Sequence, residues 1–250
     1  MRKQPSNSQG LCIGNIGHKG NRVKYSLIVK KISFFIGIIL ELILLIRLHV
    51  RAIFILHPPP DWSIGNKGHI ILIPGYSGHW SFFFSLANSL NQEGYRIHVL
   101  PEIESFFLPA EESAQRIKKY LELHNLKNTI LLGHSRGGLI ALLVREITSI
   151  DTIRAVIALE SPFQGCWLGY FPFWILKELH PLSKTLRKVH QIKSELSNVL
   201  SIFPGPDYCV LFHKMSFLAG AQNHEVEIVG HNRLLESPVV HAKIKKFISK

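Results

Sequence analysis

A short apolar strand that runs into a glycine-flanked serine constrains this chain more than any other stretch. Residues 129–132 read Thr-Ile-Leu-Leu, residues 133–137 read Gly-His-Ser-Arg-Gly, and an apolar helical pattern begins at Leu139. A sharp turn from strand to helix would lift the hydroxyl of Ser135 above the sheet. The N-terminus of the helix would direct partial positive charge at the same point. The stretch therefore predicts a nucleophilic serine at the end of a strand in an α/β fold.

A second glycine-rich turn strengthens this interpretation. Residues 73–78 read Ile-Pro-Gly-Tyr-Ser-Gly, after another apolar run. With Gly-His-Ser-Arg-Gly-Gly at 133–138, the chain resembles the lipase/esterase branch of the α/β-hydrolase superfamily over about residues 65–250. Bacterial lipases of this kind often carry Met where this chain has Arg136, which adds a cation near the mouth of the expected site. The resemblance implies hydrolysis of a carboxylic ester without a metal or an organic cofactor.

The pattern of apolar runs after residue 68 fits that family. Continuous apolar strands, such as 69–73 and 153–159, are typical of a parallel sheet buried on both faces. We predict a minimal α/β-hydrolase fold in residues 69–250: a mostly parallel sheet of about six strands, with helices on both faces and a hydrophobic helix before it. The last strand is predicted at 225–229 and the closing helix at about 238–248.

The resemblance also implies a catalytic triad and its order along the chain, which is Ser, then Asp or Glu, then His. Catalytic groups in such sheets stand at the carboxyl ends of the strands. His231 directly follows the last predicted strand and is the expected base for Ser135. His224 is expected to precede that strand, and His134 is expected to point away from the site.

Two carboxylates remain candidates for the acid of the triad. Asp207 follows the penultimate predicted strand and is preferred, and Glu160 at the end of the strand 153–159 is the alternative. The resemblance assigns the oxyanion hole to the backbone amides of Tyr76 and Arg136.

An aromatic segment follows Glu160. Members of this fold often carry a lid at this point, and we place it at about residues 162–190. Aromatic side chains in a lid favour an apolar acyl group as substrate. The alternative is that they fill the core beneath a loop. The candidate residues are Phe163, Trp167, Tyr170, Phe171, Phe173 and Trp174.

The N-terminal quarter differs in character from the rest. Residues 1–31 are polar and basic and are expected to be a disordered tail. Residues 32–56 are apolar except for Ser33, Glu41, Arg47, His49 and Arg51, and we interpret them as an uncleaved membrane anchor; a signal peptide or a helix docked on the hydrolase body are the alternatives. A spanning helix would leave the amino end cytoplasmic, by the excess of basic residues before it. Residues 57–68 are predicted to be a Pro-rich linker.

Charge and cysteine content narrow the possible partners. The net charge is +12, but residues 1–51 hold nine Lys and Arg and one acid, so the basic surplus lies mainly in the N-terminal arm. This distribution suits an anionic membrane surface and does not suggest nucleic-acid binding by the body.

Cys12, Cys166 and Cys209 have no metal-ligand spacing, and Cys166 and Cys209 would pair only in an oxidising compartment.

The resulting hypothesis is a serine hydrolase of lipid-like or apolar esters that acts through an acyl-enzyme. A thioesterase or acyltransferase with the same triad is the nearest alternative. A membrane-bound scaffold without catalytic activity is the alternative from another class of protein.

Overall fold

The computed structural model describes residues 17–104, 108–149, 151–192, 195–205 and 213–249. Those ranges contain six strands and six α-helices, joined by loops and short 3-10 turns. In chain order they are α1 Gly17–Phe54, β1 His69–Ile73, α2 Phe84–Asn91, β2 Arg96–His98, α3 Ala110–Leu123, β3 Thr129–His134, α4 Arg136–Ile147, β4 Ile153–Leu159, α5 Lys184–His190, β5 Val199–Pro204, β6 Gln222–Val226 and α6 Pro238–Ile248.

The six strands form one sheet in the order β2-β1-β3-β4-β5-β6, and every neighbouring pair is parallel. In register, Ile71 of β1 lies beside Leu131 of β3, which lies beside Val156 of β4. The chain adds β2 on one side of β1 and then crosses to β3 on the other side. Loops diverge from a sheet at such a crossover, so the carboxyl ends of β1 and β3 provide a natural crevice for a ligand.

Each face of the sheet has its own apolar core. Along β1, Ile71 and Ile73 join the core under α3, α4 and α5, whereas Ile70 and Leu72 join the core under α1, α2 and α6. All four side chains are buried. Since successive residues of a strand point to opposite faces, an unbroken apolar strand supplies both cores at once. The predicted α/β fold with helices on both faces is confirmed.

Helix α1 belongs partly to this body. Residues Gly37–Lys250 form one compact unit, and Leu44 and Leu48 of α1 lie in the same core as α2 and α6. Gly37 has to lack a side chain, because a Cβ there would lie 2.5 Å from the Cβ of Val229. The sequence places the domain boundary at residues 57–68, whereas the structure begins the compact unit at Gly37, since the apolar helix docks on the sheet before the linker is reached.

The segment predicted to be a Pro-rich linker is attached to the body. Its Pro60–Ser63 stretch forms a 3-10 turn, and Trp62 is buried. The Trp62 indole packs edge-on against Trp80 with ring centroids 5.5 Å apart and donates a hydrogen bond to the Asn88 side chain at 2.6 Å. A buried tryptophan anchors the Pro-rich stretch, which the proline content alone does not reveal.

Two other boundaries differ from the expectation. Helix α1 begins at Gly17, inside the stretch expected to be a disordered tail, and residues 1–16 lie outside the described ranges. Strand β6 is Gln222–Val226, three residues before the predicted strand. Among the described residues, one helical stretch, Ile32–Phe54 within α1, is long and apolar enough to cross a membrane, with a mean hydropathy of 2.2.

Candidate active site

Ser135 occupies a strained backbone conformation at the junction of β3 and α4. Its φ and ψ are 55° and −124°, which few residues with a side chain adopt. The backbone amide of Ser135 donates to the Leu159 carbonyl at 2.8 Å, and the Ser135 carbonyl accepts from the Gly138 amide at 3.1 Å. The strand before the serine and the helix after it therefore fix the turn, and the hydroxyl lines a cavity at the carboxyl end of the sheet.

The glycines of this turn are required by close packing. A Cβ on Gly133 would lie 2.4 Å from the carbonyl carbon of Gly137, and a Cβ on Gly137 would lie 1.9 Å from the Ile73 carbonyl oxygen. Both distances are much shorter than a van der Waals contact. The structure thus explains the Gly-x-Ser-x-Gly spacing by the approach of α4 to β1 and β3.

The loop after β1 lies directly against the serine. A Cβ on Gly75 would be 2.8 Å from the Cβ of Ser135, and the Gly78 amide closes the loop by donating to the Gly75 carbonyl at 3.2 Å. Gly75, Tyr76 and Ser77 line the same cavity as Ser135. The backbone of residues 75–77 and the N-terminus of α4 therefore flank the serine, the arrangement that an oxyanion hole requires.

His231 lines that cavity too and is nearly buried. It lies in the loop after β6, as predicted. His134, expected to point away, is instead its neighbour: the two rings have centroids 4.8 Å apart, and His134 Nε2 is 3.1 Å from the His231 carbonyl oxygen. Because a carbonyl oxygen can only accept a hydrogen bond, Nε2 is the ring nitrogen of His134 that carries the proton. The sequence gives no sign of this contact, since the two residues are 97 positions apart.

Of the two carboxylates predicted as candidates for the acid, only Glu160 lies within the described residues. Asp207 lies in the range 206–212, outside them. Glu160 is buried at the carboxyl end of β4, with a φ of 50°, and its carboxylate accepts from the Ser216 hydroxyl at 3.4 Å. Because its carboxylate is buried at the same edge of the sheet as Ser135, Glu160 stays a candidate for the acid.

The cavity beside Ser135 measures about 470 Å³ and is mostly apolar. The segment 162–190 covers one side of it, through Pro162, Cys166, Leu168, Leu176 and Leu179. The aromatic residues predicted for the lid do not line this cavity. Phe163 is fully buried in the core, whereas the other five are exposed to solvent: Trp167, Tyr170, Phe171, Phe173 and Trp174. The covering segment therefore lines the cavity with Leu, Pro and Cys residues and not with the predicted aromatic ones.

Helix α1 contributes to the cavity wall, which the sequence does not predict. Leu45 and His49, on one side of α1, line the cavity with Phe82, whose ring packs edge-on against His49 at 5.1 Å between centroids. The spacing of Leu45 and His49, four residues apart on a helix, is the only sequence signal of a shared face.

Arg136 does not project into the mouth of the site. Its guanidinium is 3% exposed and forms an ion pair with Glu178 of the covering segment, with Nη2 and Oε2 2.8 Å apart. The guanidinium also lies 4.7 Å from the ring centre of Tyr76. The Tyr76 hydroxyl has two acceptors within reach in the covering segment, the Ile175 carbonyl at 2.6 Å and the Glu178 carboxylate at 3.0 Å. The other oxygen of Glu178 accepts from the Ala110 amide at the start of α3 at 2.8 Å. The residue after the serine therefore attaches the covering segment to the body.

Burial raises the pKa of Tyr76 well above its usual value, and the Glu178 carboxylate adds to this effect against the opposing charge of Arg136. Tyr76 therefore stays protonated and acts as a hydrogen-bond donor in this cluster. Among the described residues, no group of three or more His, Cys, Asp or Glu side chains is arranged to hold a metal ion.

No protein-family model matches the sequence, and a comparison with curated protein sequences finds no match. Solved structures do resemble the fold. A monoacylglycerol lipase from Paleococcus ferrophilus aligns at a TM-score of 0.58 and 17% identity, over 75% of this chain and 96% of that one. The mature lipase BlEst2 of Bacillus licheniformis aligns at 0.58 and 13% identity, over 77% and 94%.

Lipase B of Aspergillus fumigatus aligns at a TM-score of 0.63 and 14% identity, over 78% of this chain and 56% of that one. Each of the three alignments covers at least three quarters of this chain. The chain therefore has the α/β-hydrolase fold.

Proposed function

We propose that this protein is a serine hydrolase of carboxylic esters. The observation that carries the proposal is the meeting of Ser135, in its strained turn, with the Gly75 loop and His231 around one cavity. Ser135 attacks the ester carbonyl while His231 takes its proton. The amides of Tyr76 and Arg136 bind the negative charge on the carbonyl oxygen.

The resulting acyl-enzyme is released by water. His231 gives its proton to the leaving alcohol as the acyl-enzyme forms. It then takes a proton from the water that attacks the acyl group and passes that proton to the Ser135 oxygen as the acid product leaves. A carboxylate orients His231 and stabilises its charged form, and we assign this part to Asp207, with Glu160 as the alternative. No metal ion or organic cofactor takes part in this scheme.

We propose an apolar acyl group as the part of the substrate that enters the cavity. The surface of the cavity is mostly apolar, with Leu45, Leu168, Leu176 and Leu179 in its walls, and a volume of about 470 Å³ is in the range of small-molecule sites. The apolar walls supply binding energy in proportion to the acyl surface that they cover. Turnover should therefore rise with acyl length until the cavity is filled.

A panel of p-nitrophenyl esters from acetate to palmitate tests this function, with the Ser135→Ala variant as the control. Hydrolysis that depends on Ser135 and peaks beyond the acetate ester is expected. A wild-type protein that hydrolyses no ester in the panel, although folded, contradicts the proposal. Faster turnover of acyl thioesters, or transfer to an added alcohol, would identify the thioesterase or acyltransferase instead.

We also propose that the protein associates with a lipid surface through the outer face of α1. Glu41, Leu44 and Leu48 lie on the face of α1 that packs on the body. The opposite face is apolar and exposed, and its large side chains recur at helical spacing: Ile39, Ile43, Ile46, Val50 and Ile53. A helix docked along one face and apolar along the other is suited to lie in the plane of a membrane surface.

Flotation with phospholipid vesicles tests this attachment. The Ile46→Glu variant should float less than the wild type, because it sets a charge in the proposed lipid-facing stripe. The Ile64→Glu variant is the matched control, since Ile64 is 67% exposed but lies outside α1. Equal flotation of both variants and the wild type would contradict attachment through this face.

A further inference from the structure

Glu41 is the one acidic residue in the apolar half of α1, and it is completely buried. A carboxylate removed from water must be compensated by hydrogen bonds or by opposite charge. Its Oε1 accepts from the Asn232 amide at 2.8 Å and from the Asn232 side-chain nitrogen at 2.7 Å. Its Oε2 accepts from the Arg233 amide at 3.2 Å.

The three donors belong to the two residues that follow His231. Gly230, on the other side of His231, also lies against the carboxylate: it has a φ of 116°, and a Cβ there would be 2.5 Å from Oε2 of Glu41. The loop 230–233 therefore wraps around the Glu41 side chain. Hydrogen bonds to an ionised acceptor are stronger than neutral ones, and burial strengthens them further.

The carbonyl of His231 is held by a residue of a different element. It accepts from His134, the residue directly before Ser135. The backbone around His231 is thus bonded on one side to the turn that presents the serine and on the other side to α1. Among the described contacts, Glu41 is the only residue of α1 that accepts hydrogen bonds from backbone amides of this loop.

We propose that Glu41 is a positioning residue for His231: the buried carboxylate of the N-terminal helix holds the loop 230–233 so that the imidazole faces Ser135. This inference rests on the proposed hydrolase function, in which His231 is the base. It also explains why an acid interrupts an otherwise apolar helix. Helix α1 then lines the cavity and also holds the loop that carries His231, in addition to any contact that it makes with lipid.

Three variants of the full-length chain separate positioning from simple docking. Glu41→Leu removes every acceptor, and Glu41→Gln keeps one side-chain oxygen that can still bind the Asn232 donors. Glu236→Gln is the matched control, because Glu236 attaches the same helix through Arg47 and Arg51, at 3.3 and 3.1 Å. That control loosens α1 without removing an acceptor from the amides after His231.

The first readout is ester turnover by full-length protein in detergent, divided by the number of active sites titrated with a fluorophosphonate. We expect kcat to fall about 100-fold in Glu41→Leu and about 10-fold in Glu41→Gln, since a small misplacement of a catalytic group is costly. KM should change little, and Glu236→Gln should keep nearly the wild-type kcat. A wild-type kcat in correctly folded Glu41→Leu, or an equal loss in Glu236→Gln, overturns the proposal.

Amide hydrogen exchange provides a second readout that does not depend on activity. The Asn232 and Arg233 amides should exchange faster in Glu41→Leu than in the wild type or Glu236→Gln. Unchanged exchange at these two amides overturns the proposal even if turnover falls. If the wild type hydrolyses no ester, the proposed function fails, and the exchange experiment still decides whether Glu41 holds the loop.

Discussion

Ser135 and Glu160 both combine a side chain with a positive φ, and both stand where a strand ends at the same edge of the sheet. Such conformations cost about 1–3 kcal/mol each and persist only when the surrounding structure enforces them. For Ser135 the enforcement is visible in the close approach of Gly137 to Ile73. Strain at adjacent strand ends therefore supports the proposal that the functional site lies at this edge of the sheet.

The acid of the triad can be assigned by comparing two isosteric variants. Asp207→Asn should lower kcat by several orders of magnitude, about 10⁴-fold, because His231 loses the charge that orients it and stabilises its protonated form. Glu160→Gln should have a much smaller effect. Steady-state kinetics on a short-chain ester measures both, and the reverse ranking would assign the acid to Glu160.

The ion pair between Arg136 and Glu178 gives a prediction about stability. Arg136→Met leaves the Glu178 carboxylate next to a buried apolar side chain, and we expect a loss of about 3 kcal/mol in the free energy of unfolding. The double variant Arg136→Met/Glu178→Gln should recover part of that loss, since no uncompensated charge remains. Urea denaturation of the four members of this cycle measures the coupling, and additive losses would mean that the pair is not coupled.

At the scale of elements, regular apolar patterns predicted the structure well. Helix α6 was predicted at the residues where it occurs, because it is amphipathic and clearly bounded. Strand β6 was misplaced since its sequence, Gln-Asn-His-Glu-Val, is polar, and four of its five residues are at least partly exposed at the edge of the sheet. The apolar alternation just after it led the prediction to 225–229. His224 lies within β6 rather than before it, and still away from its carboxyl end.

Local sequence motifs predicted only those parts of the candidate site that lie within short stretches of the chain. The turn around Ser135, the loop at Gly75 and the position of His231 follow from spacing and chain order within the recognised family. Contacts between distant residues, such as Glu41 with Asn232 or Arg136 with Glu178, depend on how the helices dock on the sheet. No local pattern encodes that docking, so the role of α1 in the site was missed.

The docking of α1 predicts the effect of N-terminal truncation. A chain that begins at Gly37 should keep its fold and activity, because the compact unit starts there. A chain that begins at Pro58 loses Leu44 and Leu48 from the core, worth roughly 1.5–3 kcal/mol each, along with the Glu41 hydrogen bonds. Thermal melts and ester turnover of the two chains measure this, and a fully active, equally stable Pro58 chain would contradict the packing described.

At the scale of the whole molecule, the pKa of His98 predicts how the free energy of unfolding varies with pH. The pKa of His98 falls to about 4, because burial disfavours the charged ring and because His69, His124 and Arg96 lie nearby with like charge. Its unfolded pKa is about 6.5. Between these values the unfolded chain binds a proton that the folded chain does not, so this contribution to stability is present above pH 6.5 and is lost as the pH falls towards 4.

A comparison with the His98→Gln variant isolates that contribution. The stability advantage of the wild type over the variant should shrink as the pH is lowered from 7.5 to 4.5 in urea titrations. The difference between the two proteins is the useful quantity, because burial raises the pKa of Glu104 to about 7, which gives a pH dependence of opposite sign in both proteins. A difference that is constant with pH would mean that His98 titrates normally.

The central claim for the molecule is that its α/β-hydrolase fold presents Ser135 as a nucleophile activated by His231. Reaction with a fluorophosphonate probe, followed by mass spectrometry of the labelled peptide, tests this most directly, because the probe forms a covalent bond only with an activated serine. The account predicts one adduct, on Ser135, in the wild-type protein, no adduct in Ser135→Ala and strongly slowed labelling in His231→Gln. Equal labelling of the wild type and Ser135→Ala, or none in either while both are folded, would contradict it.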